Sequence, residues 1–276
     1  MGGGAVGKQM MELQRLSETR TGAGNARSGS AVAFRQTTQV QPLYRHLKRL
    51  GDVLGAAIGL AVCMPLFLLI ALAIRLDSPG PVLFRHRRMG RGRRPFHVLK
   101  FRTMVNEAET LGPEVTVSTD RRITRVGAFL RRTKLDELPQ LWNVLVGEMS
   151  LVGPRPQSFS FLPYYSDEDL AVILSVRPGI TGPTQLWLRN EEEILARQDD
   201  PIRFYVVTLL PEKIASDRRY VQTWSLRTDL RILALTLCAL LRIRPTSHAQ
   251  LEERAAVLTE GTAGAPASAR VYEKVV

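Results

Sequence analysis

Asp136 and Glu137 stand side by side in the run Arg131-Arg-Thr-Lys-Leu-Asp-Glu-Leu-Pro-Gln-Leu-Trp-Asn-Val-Leu145. A carboxylate held against a bound phosphoryl group is a nucleophile, and a second acid beside it can take a proton or help bind a metal ion. Attack at phosphorus also requires cations to offset the substrate's charge. Arg131 precedes the pair, Arg155 lies between two prolines in Gly147-Glu-Met-Ser-Leu-Val-Gly-Pro-Arg-Pro156, and Arg177 opens Arg177-Pro-Gly-Ile-Thr-Gly182. Guanidinium forks match phosphate oxygens, and the neighbouring glycines admit close approach of an anion. A plainer reading exists. Pro139 fits only the first turn of a helix, so a helix is predicted to start near Asp136, with Leu138, Leu141, Trp142 and Leu145 on its apolar face. Asp136 is then an N-cap and Glu137 a first-turn acid favoured by the helix dipole. The same geometry would keep Asp136 ionised and draw a phosphate to it.

An apolar segment must place this chemistry. Val53 to Ile74 carries no charge and as a straight helix would extend roughly 33 Å, enough for a hydrocarbon layer of ~30 Å. Pro65 in its middle removes a backbone donor and crowds the carbonyl of Ala61, so a kink or break is predicted there. Both flanks are cationic: Arg45, Lys48 and Arg49 before it, Arg75 and the Arg85–Arg94 cluster after it. Cationic flanks prefer the cytoplasmic face, and a re-entrant helix that breaks at Pro65 satisfies both ends. A single span and a buried soluble helix are the alternatives. Gly51, Gly55 and Gly59 repeat at four-residue spacing, which suits a homodimer contact or is simply the glycine content of a membrane helix.

Further on, Val82 to His86 and Phe96 to Met104 flank a Gly/Arg-rich turn and read as a β-hairpin. Alternation puts Val98, Lys100 and Arg102 on one strand face. Leu226, Leu230, Leu233, Leu237, Leu240 and Leu241 recur at helical spacing among Arg227, Arg231, Arg242 and Arg244. That helix either lies in a membrane interface or packs on the soluble core. Residues 1–40 and 247–276 read as flexible tails, which leaves a membrane segment at 41–78 and a catalytic domain at 79–246. The fold class is α+β and helix-dominated. Cys63 and Cys238 both sit in apolar stretches and are read as free thiols.

The chain has 38 Lys and Arg against 26 Asp and Glu, a net charge of +12. The excess suits anionic partners, including the anionic face of a membrane. The arginine cluster lacks interleaved aromatics and no nucleic-acid motif appears, so nucleic acid is excluded as a partner. A polytopic transporter is excluded because only one segment is long enough to span.

Taken in order, the basic-flanked apolar segment with its proline, Arg88-Met-Gly90, Lys100-Phe-Arg-Thr-Met104, the Asp-Glu block, the Gly-Pro-Arg-Pro block and Arg177-Pro-Gly-Ile-Thr-Gly182 closely resemble the bacterial sugar transferases. More narrowly, residues 43–245 are similar to the small monotopic polyprenyl-phosphate phosphoglycosyl transferases, without the multi-span domain that some relatives carry. The resemblance implies transfer of a sugar 1-phosphate from a UDP-sugar to undecaprenyl phosphate, with release of UMP, at the cytoplasmic face of a bacterial inner membrane. It implies Asp136 as nucleophile, Glu137 as its assistant, and Mg²⁺ bound near Asp136. Arg88, Lys100, Arg102, Arg131, Arg155 and Arg177 become the phosphate-binding set. The chain departs from the family pattern at Pro183-Thr-Gln185, where many members have Trp-Ala-Gln, and at His86, often Gln. These departures bear on the choice of sugar.

Overall fold

The computed structural model describes residues 42–241. The two predicted tails lie outside them, as do Arg242 and Arg244. The described chain is helix-dominated, with two small two-stranded sheets.

Helix α1, Pro42–Asp77, is the one described helix long and apolar enough to cross a membrane. The helix continues through Pro65, so of the predicted kink or break the break does not occur. A missing N–H removes one rung of the ladder, and the turns on either side keep the helix going. One stripe of α1 faces the rest of the protein. Arg49 donates to the carbonyls of Val144 (2.6 Å) and Leu145 (2.9 Å), and Asp52 accepts from Ser150 Oγ (3.0 Å) and Leu151 N (2.9 Å). Further along, Ala56 packs on Val144 and Met149, Ile70 and Ile74 pack with Leu130, and Phe67 meets Phe101 edge to face. Asp77 then accepts from the Val126 amide at 3.1 Å. The domain therefore holds α1 near both of its ends, while Leu54, Ile58, Val62, Leu68, Leu69 and Leu72 stay exposed.

The glycine repeat has a use within the chain. A Cβ at Gly55 would stand 2.8 Å from Leu151 Cδ1, and one at Gly59 would stand 3.0 Å from Leu141 Cδ1. Gly55 and Gly59 thus let the catalytic domain approach α1, whereas a Cβ at Gly51 would meet nothing within 4 Å.

The predicted hairpin forms from β1, Leu83–Met89, and β2, Pro95–Phe101, paired antiparallel from Leu83↔Phe101 to Met89↔Pro95. Its turn uses positive φ at Gly92 and Arg93. Next come α2, Arg125–Thr133, a 3₁₀ turn at Leu135–Glu137, and α3, Gln140–Val146. Strand β3, Ser150–Val152, pairs in parallel with β4, Gly179–Thr181, after a crossover that includes α4, Asp167–Ile173. Short helices α5, Pro183–Trp187, α6, Glu191–Ala196, and α7, Pro201–Phe204, lead into α8, Leu210–Thr223. They build an apolar core around Phe161, Trp187, Leu195 and Leu209.

Helix α9, Leu226–Leu240, packs one face on the domain and leaves a second apolar face exposed. Ile232 is fully buried against Val152 and Tyr220, whereas Leu230, Leu237, Leu240 and Leu241 are exposed. Cys63 and Cys238 are free and half-buried.

Buried Asp229 ties α9 to α1. It accepts from Lys48 Nζ (2.5 Å), Trp224 Nε1 (3.0 Å) and Tyr220 OH (2.6 Å), while Lys48 also donates to the Val152 carbonyl. Removing one partner of such a pair leaves the other charge uncompensated, at a cost of about 3 kcal/mol or more. Asp229→Ala is expected to lower the thermal unfolding midpoint of the detergent-solubilised protein accordingly. An unchanged midpoint would show that the pair does not hold α1 in place.

Candidate active site

The site forms where α2 stops. Lys134 adopts φ 61° and ends α2, its amide reaching back to Arg131 and Leu130. A lysine in the left-handed region is uncommon and locally strained. It turns the chain into the Leu135–Glu137 turn and carries Asp136 inward. Asp136 is therefore not the N-cap of α3, which starts at Gln140. Trp142, expected on the apolar face of that helix, is exposed; Val144 and Asn143 are buried instead. Asn143 pins the region to β2, accepting from the Leu99 amide and donating to the His97 carbonyl.

Asp136 is 7 % exposed, and its Oδ1 is buried with no hydrogen-bond partner among the described residues. A polar atom in that state costs free energy unless something else satisfies it. Burial pushes the Asp136 carboxyl above the usual carboxylate range; Lys100 pulls the other way and Glu137 adds to the rise. The expectation that free amides keep Asp136 ionised is thus corrected, because no amide reaches it.

Glu137 has the opposite balance. Burial alone would raise it, but Lys100 and Arg155 together outweigh that and hold it well below the usual range. Lys100 Nζ lies 2.7 Å from Glu137 Oε1, and Arg155 Nη2 lies 3.4 Å from the same oxygen. The two adjacent carboxyls are thus pushed in opposite directions.

Arg155 arrives through backbone packing. Gly153 N donates to Thr181 O and Gly179 N to Pro154 O, so the Gly-Pro-Arg-Pro and Arg-Pro-Gly-Ile-Thr-Gly segments are zipped together. A Cβ at Gly179 would fall 2.1 Å from Gly153 N, which is why glycine is required there. Behind the loop, Gln157 donates to the Arg155 carbonyl and to buried Asp217, which also accepts from Thr184 Oγ1 at 2.6 Å.

Of the predicted cations, Lys100 and Arg155 meet Glu137 directly. Arg88 joins them, acting electrostatically on both Arg155 and Glu137 while paired with Glu114 at 3.2 Å. Arg131 acts on Asp136 at longer range; its fork is engaged by Glu192 at 2.7 Å and by Thr103. The other two predicted cations lie away from the acids. Arg102 lies just past the end of β2 and is buried on the Ser78 and Pro79 carbonyls, where it fixes the exit from α1. Arg177 donates to the Gly147 carbonyl at the far end of α3.

Sequence reasoning missed the acids that balance these cations. Glu114 takes His86 and Arg88; Glu191 takes Lys213, which also reaches the Tyr205 hydroxyl; Glu192 takes Arg131. Glu114 is a lone acid after Gly-Pro and carried no signal. The Glu191-Glu-Glu193 run was visible, without any indication of what it would face.

The model of the family described as bacterial sugar transferase matches residues 43–243. The chain belongs to that family. This sugar transferase is 46% identical over 199 residues to the UDP-glucose:undecaprenyl-phosphate glucose-1-phosphate transferase of Caulobacter vibrioides, covering 70% of this chain and 69% of that one. It is 40% identical over 215 residues to the protein of the same name from Escherichia coli, covering 76% of this chain but only 43% of the relative. It is 37% identical over 230 residues to the exopolysaccharide production protein ExoY of Rhizobium meliloti, covering 77% and 94%. The protein is accordingly an enzyme of the transferase class.

Glu114 provides a pH test of the site. Burial raises its carboxyl, but the His86 hydrogen bond and Arg88 carry it down from 4.5 to about 2. A folded value below the unfolded one contributes stability above the ordinary carboxylate pKa and loses it as pH falls toward the folded value. The shift corresponds to roughly 3 kcal/mol. Glu114→Gln is expected to be less stable than wild type at pH 7, with the difference vanishing between pH 4.5 and about 2. A gap independent of pH would mean that the charge of Glu114 contributes nothing.

Proposed function

We propose that this sugar transferase moves a sugar 1-phosphate from a UDP-sugar to undecaprenyl phosphate in two displacements, with Asp136 as nucleophile. The observation that carries this reading is the buried, unpartnered Asp136 Oδ1 beside a Glu137 whose charge is already neutralised. The names of the relatives support the substrates. In the first displacement Asp136 forms a bond to the phosphorus that bears the sugar. The bond from that phosphorus to the bridging oxygen breaks, and UMP leaves with its electron pair. In the second, an oxygen of undecaprenyl phosphate attacks the same phosphorus and displaces the Asp136 carboxylate, giving the lipid diphosphate sugar.

Glu137 is a weak base while Lys100 and Arg155 hold it. Substrate phosphates compete for those same cations, and their binding would release Glu137 to accept the proton of the lipid phosphate. Arg155 offers the planar fork suited to a phosphate, with Arg88 behind it. Asp136 Oδ1 fits a single protein ligand for Mg²⁺, and among the described residues no group of three His, Cys, Asp or Glu could enclose a metal on its own. Asp136 would be the protein's one ligand to such an ion, whose remaining oxygens would have to come from outside the protein. The ion would supply neutralisation of the diphosphate charge.

Helix α1 is read as dipping into the bacterial inner membrane as a re-entrant element, bent at Pro65 without a break in the helix, so that both ends face the cytoplasmic side. Support comes from the domain's grip near both ends, at Arg49 and Asp77, around an exposed apolar middle. A simple span would hold its domain at one end only.

Asp136→Asn is expected to reduce UMP release from UDP-sugar by about a thousandfold or more, as loss of a nucleophile does, while the protein stays in the membrane fraction. The wild-type rate should fall with decreasing pH at a value above the ordinary carboxylate range, because the raised Asp136 must lose its proton before attack. Full turnover by the Asn variant would remove Asp136 from the role.

A further inference from the structure

Arg177 is left over from the active site, and its surroundings indicate a different use. α3 separates it from the acids: Asp136 and Glu137 precede the first turn, while Arg177 Nε donates to the carbonyl of Gly147 just past the last. Seven helical residues rise roughly 10 Å. Arg49 sits at the same end, its fork on Val144 and Leu145. The hairpin turn brings Arg91 there as well, because Gly92 N donates to the Leu174 carbonyl, three residues ahead of Arg177. Burial, then Arg49 and Arg91, weaken the hold of Arg177 on its proton, with Asp52 the one acid acting against them.

The acids of this end of α3 are already engaged. Asp52 is bonded inward to Ser150 and Leu151, and Glu148 accepts from Asn143. The outer nitrogens of Arg177 and the whole guanidinium of Arg91 have no hydrogen-bond partner among the described residues. Like charges gathered without a counter-charge repel one another, and an anion would relieve them. The cluster borders apolar surface: Leu50 and Leu54 on α1, Trp142 and Val146 on α3, are all exposed.

We propose that Arg49, Arg91 and Arg177 form a second anion site, which takes the headgroup phosphate of an anionic phospholipid whose acyl chains lie along α1 and α3. The acceptor's phosphate cannot be the occupant, since it must react at Asp136 at the other end of the helix. A choline headgroup would set a cation against the arginines, so the site favours a headgroup of net negative charge.

The test titrates the full-length protein in neutral detergent with dioctanoyl phosphatidylglycerol, dioctanoyl phosphatidylcholine and a short polyprenyl phosphate, and follows binding by calorimetry. Phosphatidylglycerol is expected to bind saturably and about tenfold more tightly than phosphatidylcholine, and Arg91→Gln should remove that preference, as loss of a charged hydrogen-bond donor does. Arg91 has no partner to lose, so the substitution does not endanger the fold. Arg177→Lys should weaken binding as well. Equal affinities for the two phospholipids, unchanged binding in both variants, or displacement of phosphatidylglycerol by the polyprenyl phosphate would each overturn the proposal. Asp136→Asn should bind phosphatidylglycerol like wild type, so failure of the transfer mechanism would not be mistaken for failure of this site.

Discussion

The ion pairs of Glu137 with Lys100 and Arg155 are the constraint on which the site depends. They join three parts of the chain that are distant in sequence: the second hairpin strand, the turn after α2, and the loop zipped to β4. With Glu137 neutralised, its neighbour faces a low-dielectric environment without a partner of its own, and burial drives Asp136 toward the protonated state. The two carboxyls thereby acquire different properties while sharing one backbone turn. Any anion that takes Lys100 and Arg155 alters both.

The rest of the fold holds those three parts together against an apolar helix. Arg49, Asp52 and Lys48 anchor one end of α1 to the polar atoms of α3, β3 and α9, and Asp77 anchors the other to α2. Between them Gly55 and Gly59 admit leucines from the domain. A site built on short elements gains rigidity from such contacts: α3 has seven residues and β3 three. These are too few to be stable without tertiary packing.

Much of this was legible in the sequence. The hairpin, the acidic pair and the Arg155 loop declare themselves through residue type and spacing, and the family resemblance rests on those blocks. The misreadings share a cause. Pro139 correctly marked a helix start, but the 3₁₀ turn before it, set by the positive φ of Lys134, placed Asp136 in the interior instead of at a cap. Arg102 and Arg177 have the composition of phosphate clamps and are engaged by backbone carbonyls. Which of many arginines meets an acid is decided by long-range packing that no local pattern encodes. Glu114, Glu191 and Glu192 were missed for the same reason. At Pro65 a kink or a break is expected, and one lost hydrogen bond does not end the helix.

The central claim concerns where the phosphosugar rests between its two displacements. The most direct measurement is rapid mixing of purified protein with UDP-sugar in the absence of lipid acceptor, acid quench, and peptide mapping by mass spectrometry. The account predicts a phosphosugar mass on the peptide containing Asp136, discharged when undecaprenyl phosphate is added. Normal product formation with that peptide never modified, or with the adduct on another residue, would contradict it.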